Sequence, residues 1–250
     1  MADDFALAAS LVLEAGRLTD RMRREGVGVE YKTSISDVVT AADRAAEALV
    51  VERLRAERPA DGLVGEEGAR HPGQRTWFID PLDGTFNFTS GLPTWCAAIA
   101  LVEDSRALLG AVYHPAADEL WLGGAGQTTT CNDEPVVPLG DPRLADVCVA
   151  SYLHPTTLPD DTVREPLLRA IGAAATVRML GSGSVELASV AAGRLGGFVQ
   201  YDCLPWDWYP GAALVEGAGG VARVLELAGH RWHLAGPARV VAELEATLRA

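Results

Sequence analysis

The placement of the acids limits how this chain can fold more than any other feature. Gly65-Glu66-Glu67-Gly68 follows directly on the apolar run Leu63-Val64, and Asp80-Pro81-Leu82-Asp83-Gly84-Thr85 follows directly on Trp77-Phe78-Ile79. Asp207 stands between Trp206 and Trp208 at the opening of a long apolar stretch. A core built from these runs takes the acids in with them, and a buried carboxylate is costly unless it is paired or metal-bound. No Lys or Arg lies within the three motifs; Arg70 and Arg75 only flank them. Divalent cations are therefore the natural counter-charges.

The spacing gives that reading chemical content. Pro81 lacks an N–H and is expected to stop the chain after Asp80 from simply continuing a strand ladder. Asp80 and Asp83, three apart around a tight turn, can then point to one place, and the Leu82 carbonyl can add a neutral oxygen. An all-oxygen donor set suits Mg²⁺, Mn²⁺ or Ca²⁺ rather than zinc. Gly84 allows close backbone approach to a ligand, and Gly84-Thr85 is expected to open a helix whose free N–H groups can hold a phosphate. Two adjacent metals would polarise that phosphate and acidify a water, which phosphomonoester hydrolysis requires because it is so slow uncatalysed. Singly, each motif has a plainer reading. Glu66-Glu67 is a turn pair, D-x-x-D-G-T an Asx-turn with a helix cap, Asp207 an N-cap and Asp43 a capping-box acid. Their joint occurrence favours the site.

Around these motifs the chain reads as alternating helix and sheet. Residues 3–25 carry Leu7, Leu11, Ala15, Leu18 and Met22 at helical spacing. A polar segment, EYKTSISD, is expected to be mobile and precedes a second helix that starts near Thr40 and ends before Pro59. Strands are expected at 63–65, 77–80, 95–102 and 107–114, the last two paired, and ELWLGG continues the series. The second half alternates strands at 147–151, 176–180 and 196–201 with helices at 162–171 and 184–193. A buried helix begins at WDWYPG and is closed by Gly217 or Gly219; a strand near 221–227 and a helix near 242–249 end the chain. His230 and His233 lie in a glycine-flanked, turn-like stretch and read as surface residues. Trp77, Trp95, Trp121 and Trp206 read as core. This order indicates an α+β or α/β layered fold, taken as one domain over 1–250, with an N-terminal half to about residue 140 holding the acidic motifs and a C-terminal half from about 141.

The 250-residue chain carries a net charge of −13, which argues against nucleic acid as a main partner. No apolar run is long enough to span a membrane. The acidic start, MADDFALAAS, does not read as a secretory leader, so a cytoplasmic location with reduced cysteines is the expectation. Cys96, Cys131, Cys148 and Cys203 are far apart and suit neither zinc nor disulfide formation.

At these motifs the chain resembles the inositol monophosphatase family of magnesium-dependent, lithium-sensitive phosphatases. The likeness rests on YKTSISDVVTAAD (31–43), GEEG (65–68), WFIDPLDGTFNF (77–88), RMLGSGSVELASVAAGRLGGF (178–198) and PWDWYPGAALVEGAGG (205–220). It implies an α-β-α-β-α sandwich, commonly a homodimer, acting on a small phosphorylated metabolite with two or three Mg²⁺ ions, for which Mn²⁺ can substitute. It implies that Glu66, Asp80 and the Leu82 carbonyl hold one metal, that Asp80, Asp83 and Asp207 hold another, and that Glu67 serves a weaker third. Thr85, oriented by Asp43, would act with Glu66 on the attacking water. The Gly84 and Thr85 amides would hold phosphate, Asp83, Gly181, Ser182 and Gly183 would line the alcohol side, and Lys32 would reach over the metals. Departures lie nearby: Gln200 replaces a frequent acid that touches substrate hydroxyls, Gly196 a frequent Asp, and Trp208-Tyr209-Pro210 the usual small residues. An inositol monophosphate or similar polyol phosphate is therefore expected, with histidinol phosphate, fructose 1,6-bisphosphate and 3′-phosphonucleotides as alternatives, and a non-catalytic binding role on the same fold as a rival of another kind.

Overall fold

A long amphipathic helix and a capped second one cover the first sheet, and both follow from local sequence. The computed structural model describes residues 2–26, 29–31 and 38–250. In chain order its first half contains α1 (Ala2–Glu25), β1 (Val29–Tyr31), β2 (Val38–Thr40), α2 (Ala41–Glu57), β3 (Gly62–Gly65), β4 (Arg70–His71), β5 (Arg75–Asp83), α3 (Thr85–Thr89), β6 (Cys96–Glu103), β7 (Arg106–His114), β8 (Glu119–Gly124), β9 (Gln127–Cys131) and β10 (Glu134–Pro135). The second half adds β11 (Cys148–Ala150), α4 (Asp161–Gly172), β12 (Thr176–Arg178), α5 (Gly183–Ala191), β13 (Gly197–Tyr201), α6 (Pro205–Gly217), β14 (Val221–Leu227), β15 (His230–Gly236) and α7 (Ala238–Arg249).

Two sheets organise these elements. The first runs β10-β9-β8-β7-β6-β5-β3-β4 and the second β12-β11-β13-β15-β14. Helices α1 and α2 pack on one face of the first sheet; α5 and α6 fill the space between the sheets; α4 and α7 cover the outer face of the second. The result is the expected α+β sandwich of five layers, α-β-α-β-α. Three apolar clusters join the layers: Leu7, Leu11, Val50, Leu54 and Trp77 under α1 and α2, Leu187, Phe198, Trp208 and Leu214 on both sides of α5 and α6, and Leu167, Trp232, Leu234 and Leu244 outside.

One expectation holds in a modified form and three need correction. Pro81 does keep the strand from simply continuing its ladder, as expected, but the pairing resumes beyond it. β5 continues through Asp83, which pairs with Cys96, by way of an irregularity between Asp80 and Asp83; a bulge absorbs the missing N–H. His233 is not a surface residue: it is 2% exposed in the middle of β15, which pairs with β13 and β14 on either side. The turn read there is instead a strand, because the hairpin with β14 and the long-range ladder with β13 outweigh the flanking glycines. The last helix starts at Ala238, four residues earlier than expected, directly after Pro237. Trp206 also departs from the core reading. It is half-buried, with the Arg70 guanidinium 5.4 Å above its ring.

Candidate active site

The site lies where β5, the turn after β3, the start of α6 and the start of α5 converge. Asp80 and Asp83 are buried at the bulged end of β5, and each can offer a carboxylate oxygen within 4.8 Å of one on Asp207. Asp207 is in the first turn of α6; Leu204 is the N-cap, so the N-cap reading of Asp207 does not hold. Glu66 lies near enough for its charge to act on both Asp80 and Asp207.

The electrostatics show strain held in common. Burial pushes Asp80 well above the usual carboxylate range, and the charges of Glu66, Asp83 and Asp207 push it further. Asp207 is raised in the same way, by burial and then by Asp83 and Glu66. Burial also raises Asp83, although the Ser184 N–H at 2.6 Å and the Ser182 hydroxyl at 3.0 Å donate to its Oδ2 and offset part of the cost. No arginine or lysine forms an ion pair with these three acids among the described residues. Three hard-oxygen donors converging in a buried, uncompensated cluster fit a divalent cation such as Mg²⁺.

Beside the acids lies a hydroxyl–carboxylate pair. Thr85 Oγ1 is 3.1 Å from Asp43 Oδ1 and 3.0 Å from the Leu82 carbonyl, both acceptors for its single proton. Asp43 has two tasks. Its Oδ2 accepts the Thr40 N–H at 2.8 Å and the Thr40 hydroxyl at 2.5 Å, completing the capping box of α2, and its Oδ1 is left for Thr85. Burial raises the Asp43 carboxyl above its ordinary value against the Thr40 bonds, and the charge of Glu67 adds to the rise.

The chain turns into α3 at Gly84, whose φ is +94° and whose side is closed by the Thr94 and Gly181 carbonyls. A Cβ there would lie 2.9 Å from the Thr94 oxygen, so glycine is required for both reasons. The same contacts place Gly181 and Ser182 against Gly84, and Gly183 faces Asp207 across van der Waals distance. Ser182 is buried with its hydroxyl committed to Asp83. Gln200 lies half-buried in β13 opposite His233, and no hydrogen bond joins its side chain to the acids. Lys32 lies outside the described residues.

Several contributors were not singled out from sequence. Asn87 donates to the Thr94 and Leu180 carbonyls at 2.7 Å, tying α3 to the segment before α5. Glu186, 1% exposed, accepts the Leu180 N–H at 2.5 Å, and burial pushes its carboxyl up to about 8 despite that bond. Cys96 Sγ lies 3.9 Å from Asp83 Oδ2. Glu47 on α2 accepts from the backbone of the turn after β3. Its only signal was its position one helical turn after Asp43, on the same face of α2.

With this geometry established, the chain is similar to proteins of known description. The model of the "Inositol monophosphatase family" matches residues 2–248. A Thermotoga maritima protein named "Fructose-1,6-bisphosphatase/inositol-1-monophosphatase" is 35% identical over 193 residues, covering 77% of this chain and 73% of that protein. The "Inositol-1-monophosphatase" of Rhizobium meliloti is 34% identical over 200 residues, covering 74% and 71%. Among solved structures, the extragenic suppressor protein suhB of Bartonella henselae superimposes with a TM-score of 0.87 at 28% identity, covering 98% of this chain and 97% of that one.

Proposed function

Because this chain belongs to the inositol monophosphatase family and is a phosphomonoester hydrolase, we propose that it hydrolyses a small polyol or sugar phosphate, an inositol monophosphate foremost, with Mg²⁺ held by its buried acids. The observation that carries this reading is the convergence of Asp80, Asp83 and Asp207 with no paired cationic side chain among the described residues, next to the Thr85–Asp43 pair.

In this reading Glu66, Asp80, the Leu82 carbonyl, Asp83 and Asp207 are the ligand set, with Glu67 at its edge. The bound ions would supply the missing positive charge, polarise the phosphate and make a water acidic enough to attack near neutral pH. The protein's own groups do the rest. The Thr85 hydroxyl donates toward Asp43 Oδ1 and the Leu82 carbonyl, which leaves its lone pairs free to accept a proton from the attacking water. Asp43, fixed by two bonds from Thr40, is placed to receive the proton that Thr85 passes on. The opening N–H groups of α3 at Gly84 and Thr85 have no earlier carbonyl in the helix and are available to phosphate oxygens. Asp83 holds the segment Gly181–Gly183 close to the leaving-group side through Ser182 and Ser184.

A diffusible metabolite suits the rest of the molecule. The net charge of −13 disfavours a polyphosphate backbone, and among the described residues no helix is long and apolar enough to cross a membrane. A cytoplasmic homodimer sensitive to lithium is part of the same proposal, by membership of the family. The test is phosphate release from inositol 1-phosphate, fructose 1,6-bisphosphate, histidinol phosphate and 3′-phosphoadenosine 5′-phosphate, with Mg²⁺, with chelator and with lithium. Chelator-sensitive turnover led by inositol 1-phosphate is expected. Silence on all four by a protein that binds Mg²⁺ would overturn the substrate class.

A further inference from the structure

The turn between β3 and β4 carries Glu66 and Glu67, and every backbone N–H from Gly65 to Ala69 has a partner. The Gly65 N–H donates to the Ala69 carbonyl at 2.9 Å, Glu66 to the Ile79 carbonyl at 3.1 Å and Gly68 to the Gly65 carbonyl at 3.4 Å. The other two go to a side chain on α2. The Glu67 N–H donates to Glu47 Oε2 at 2.8 Å and the Ala69 N–H to Glu47 Oε1 at 2.9 Å. Glu47 is 6% exposed, so each of its oxygens spends a lone pair on one amide of the turn in a setting where water is scarce. Gly65 makes this close fit possible, because a Cβ at that position would overlap the Glu47 carboxylate.

We propose that Glu47 is a positioning residue: a buried carboxylate clamp, itself outside the ligand set, that holds the 65–69 turn in the shape that presents Glu66 and Glu67 to the metals. The inference rests on the reading of the acidic cluster as a metal site. A glutamate bonded to the turn that carries Glu66 and Glu67 invites assignment as a ligand, but both of its oxygens face N–H donors. Its partner on the same helix face, Asp43, does the corresponding work for Thr85. Helix α2 thus fixes two separate parts of the site from two positions one turn apart, while α1 and β5 pack against it. A glutamine at position 47 can accept from one amide only; its NH₂ group would face the other donor and leave a buried N–H without a partner. Outer groups that orient metal ligands typically change metal affinity by roughly 10–100-fold when removed.

The experiment uses chelator-stripped full-length protein titrated with Mn²⁺, with binding read by calorimetry and by the rise in Tm, and with amide hydrogen exchange of the turn read before metal is added. Glu47→Gln is expected to need roughly tenfold more Mn²⁺ or beyond for half-saturation, with faster exchange at the Glu67 and Ala69 amides and kcat at saturating metal changed far less than the half-saturation point. Gly65→Ala, which dislodges the same carboxylate without removing it, is expected to reproduce the shift and carries the test should Glu47→Gln fail to fold. Asp61→Asn, a buried acid bonded to Arg75 and Trp77 instead, is expected to lower Tm while leaving the Mn²⁺ half-saturation in place. A folded Glu47→Gln protein that binds Mn²⁺ at the wild-type concentration would overturn the clamp. A wild-type protein that binds no Mn²⁺ would overturn the metal site itself.

Discussion

Strand β5 carries a buried acidic cluster at each end, and the two are resolved in opposite ways. At its start, Arg75 bonds Asp61 at 2.7 Å and Asp4 at 3.0 Å, and Arg58 bonds Asp4 at 2.7 Å. The Trp77 indole N–H also donates to Asp61, at 2.9 Å. Burial works against the charge of Asp4, yet the bonds from Arg58 and Arg75 prevail and hold it below the usual carboxylate range. At its far end, about 26 Å along the strand, Asp80, Asp83 and Asp207 crowd together with no such partner among the described residues and are all raised. The fold can neutralise buried acids with arginine and does so where they are structural. Among the described residues, the cluster left uncompensated is the one assigned to the cations in the proposed function.

The largest effect expected of this contrast is on turnover. Asp80→Asn should reduce phosphate release at least a thousand-fold, on the order of the several kcal/mol of transition-state stabilisation that bound metals supply. Asp61→Asn should leave turnover per folded molecule nearly unchanged but cost about 3 kcal/mol of stability, the lower end for breaking a buried pair because Arg75 is partly exposed; denaturant titration measures it. Comparable loss of turnover in both variants would erase the distinction. Mg²⁺ at a hundredfold excess over its Kd should stabilise the wild-type protein by about 2.7 kcal/mol, seen as a rise in Tm that Asp61→Asn retains and Asp80→Asn loses.

The two ends should also respond oppositely to pH, though more weakly. At the site end, Glu186 has its carboxyl raised to about 8 from an ordinary 4.5, and Asp80 and Asp207 move in the same direction. The folded state therefore keeps protons that the unfolded chain has released. Their contribution to metal-free stability is complete below the unfolded value and is lost as pH rises from about 4.5 toward 8. At the Arg75 end the sign reverses. Asp4 is lowered, so its contribution is present above the ordinary 3.8 and lost as pH falls through its depressed value. Urea midpoints of the stripped protein measured between pH 5 and pH 8 should decline; a rise across that window would contradict the raised site.

The contrast also explains what could be read from sequence. Asp80, Asp83 and Asp207 were legible because each adjoins a run apolar enough to force burial, and the strands and helices around them carry clear periodicity. From its own surroundings Asp43 was legible only as a cap; that its second oxygen reaches Thr85, 42 residues on, has no local signature and was expected only from the family resemblance. Glu47 looked like any helix acid in AADRAAEALVV, since its partners lie 20 and 22 residues away. His233 was misread for a related reason. Its stretch is polar and flanked by glycine, but pairing on both sides draws it inward, Trp208 packs against its ring at 4.9 Å, and the Cys203 N–H reaches its Nδ1 at 3.4 Å. Burial, with Arg231 adding, lowers it to about 4 and keeps it neutral. Pro81 was legible as an interruption of the ladder; that the strand resumes at Asp83 was not, because its pairing with Cys96 is set by β6, 13 residues on.

The central claim is that the acids at the end of β5 are held uncompensated in readiness for cations. The melting temperatures of chelator-stripped wild-type and Asp80→Asn protein at pH 8, each with and without Mg²⁺, test it most directly. The account predicts that the stripped variant melts higher than the stripped wild type, since it buries one charge fewer, and that Mg²⁺ raises only the wild type. A stripped variant that melts lower, or one that gains as much from Mg²⁺ as the wild type does, would contradict it.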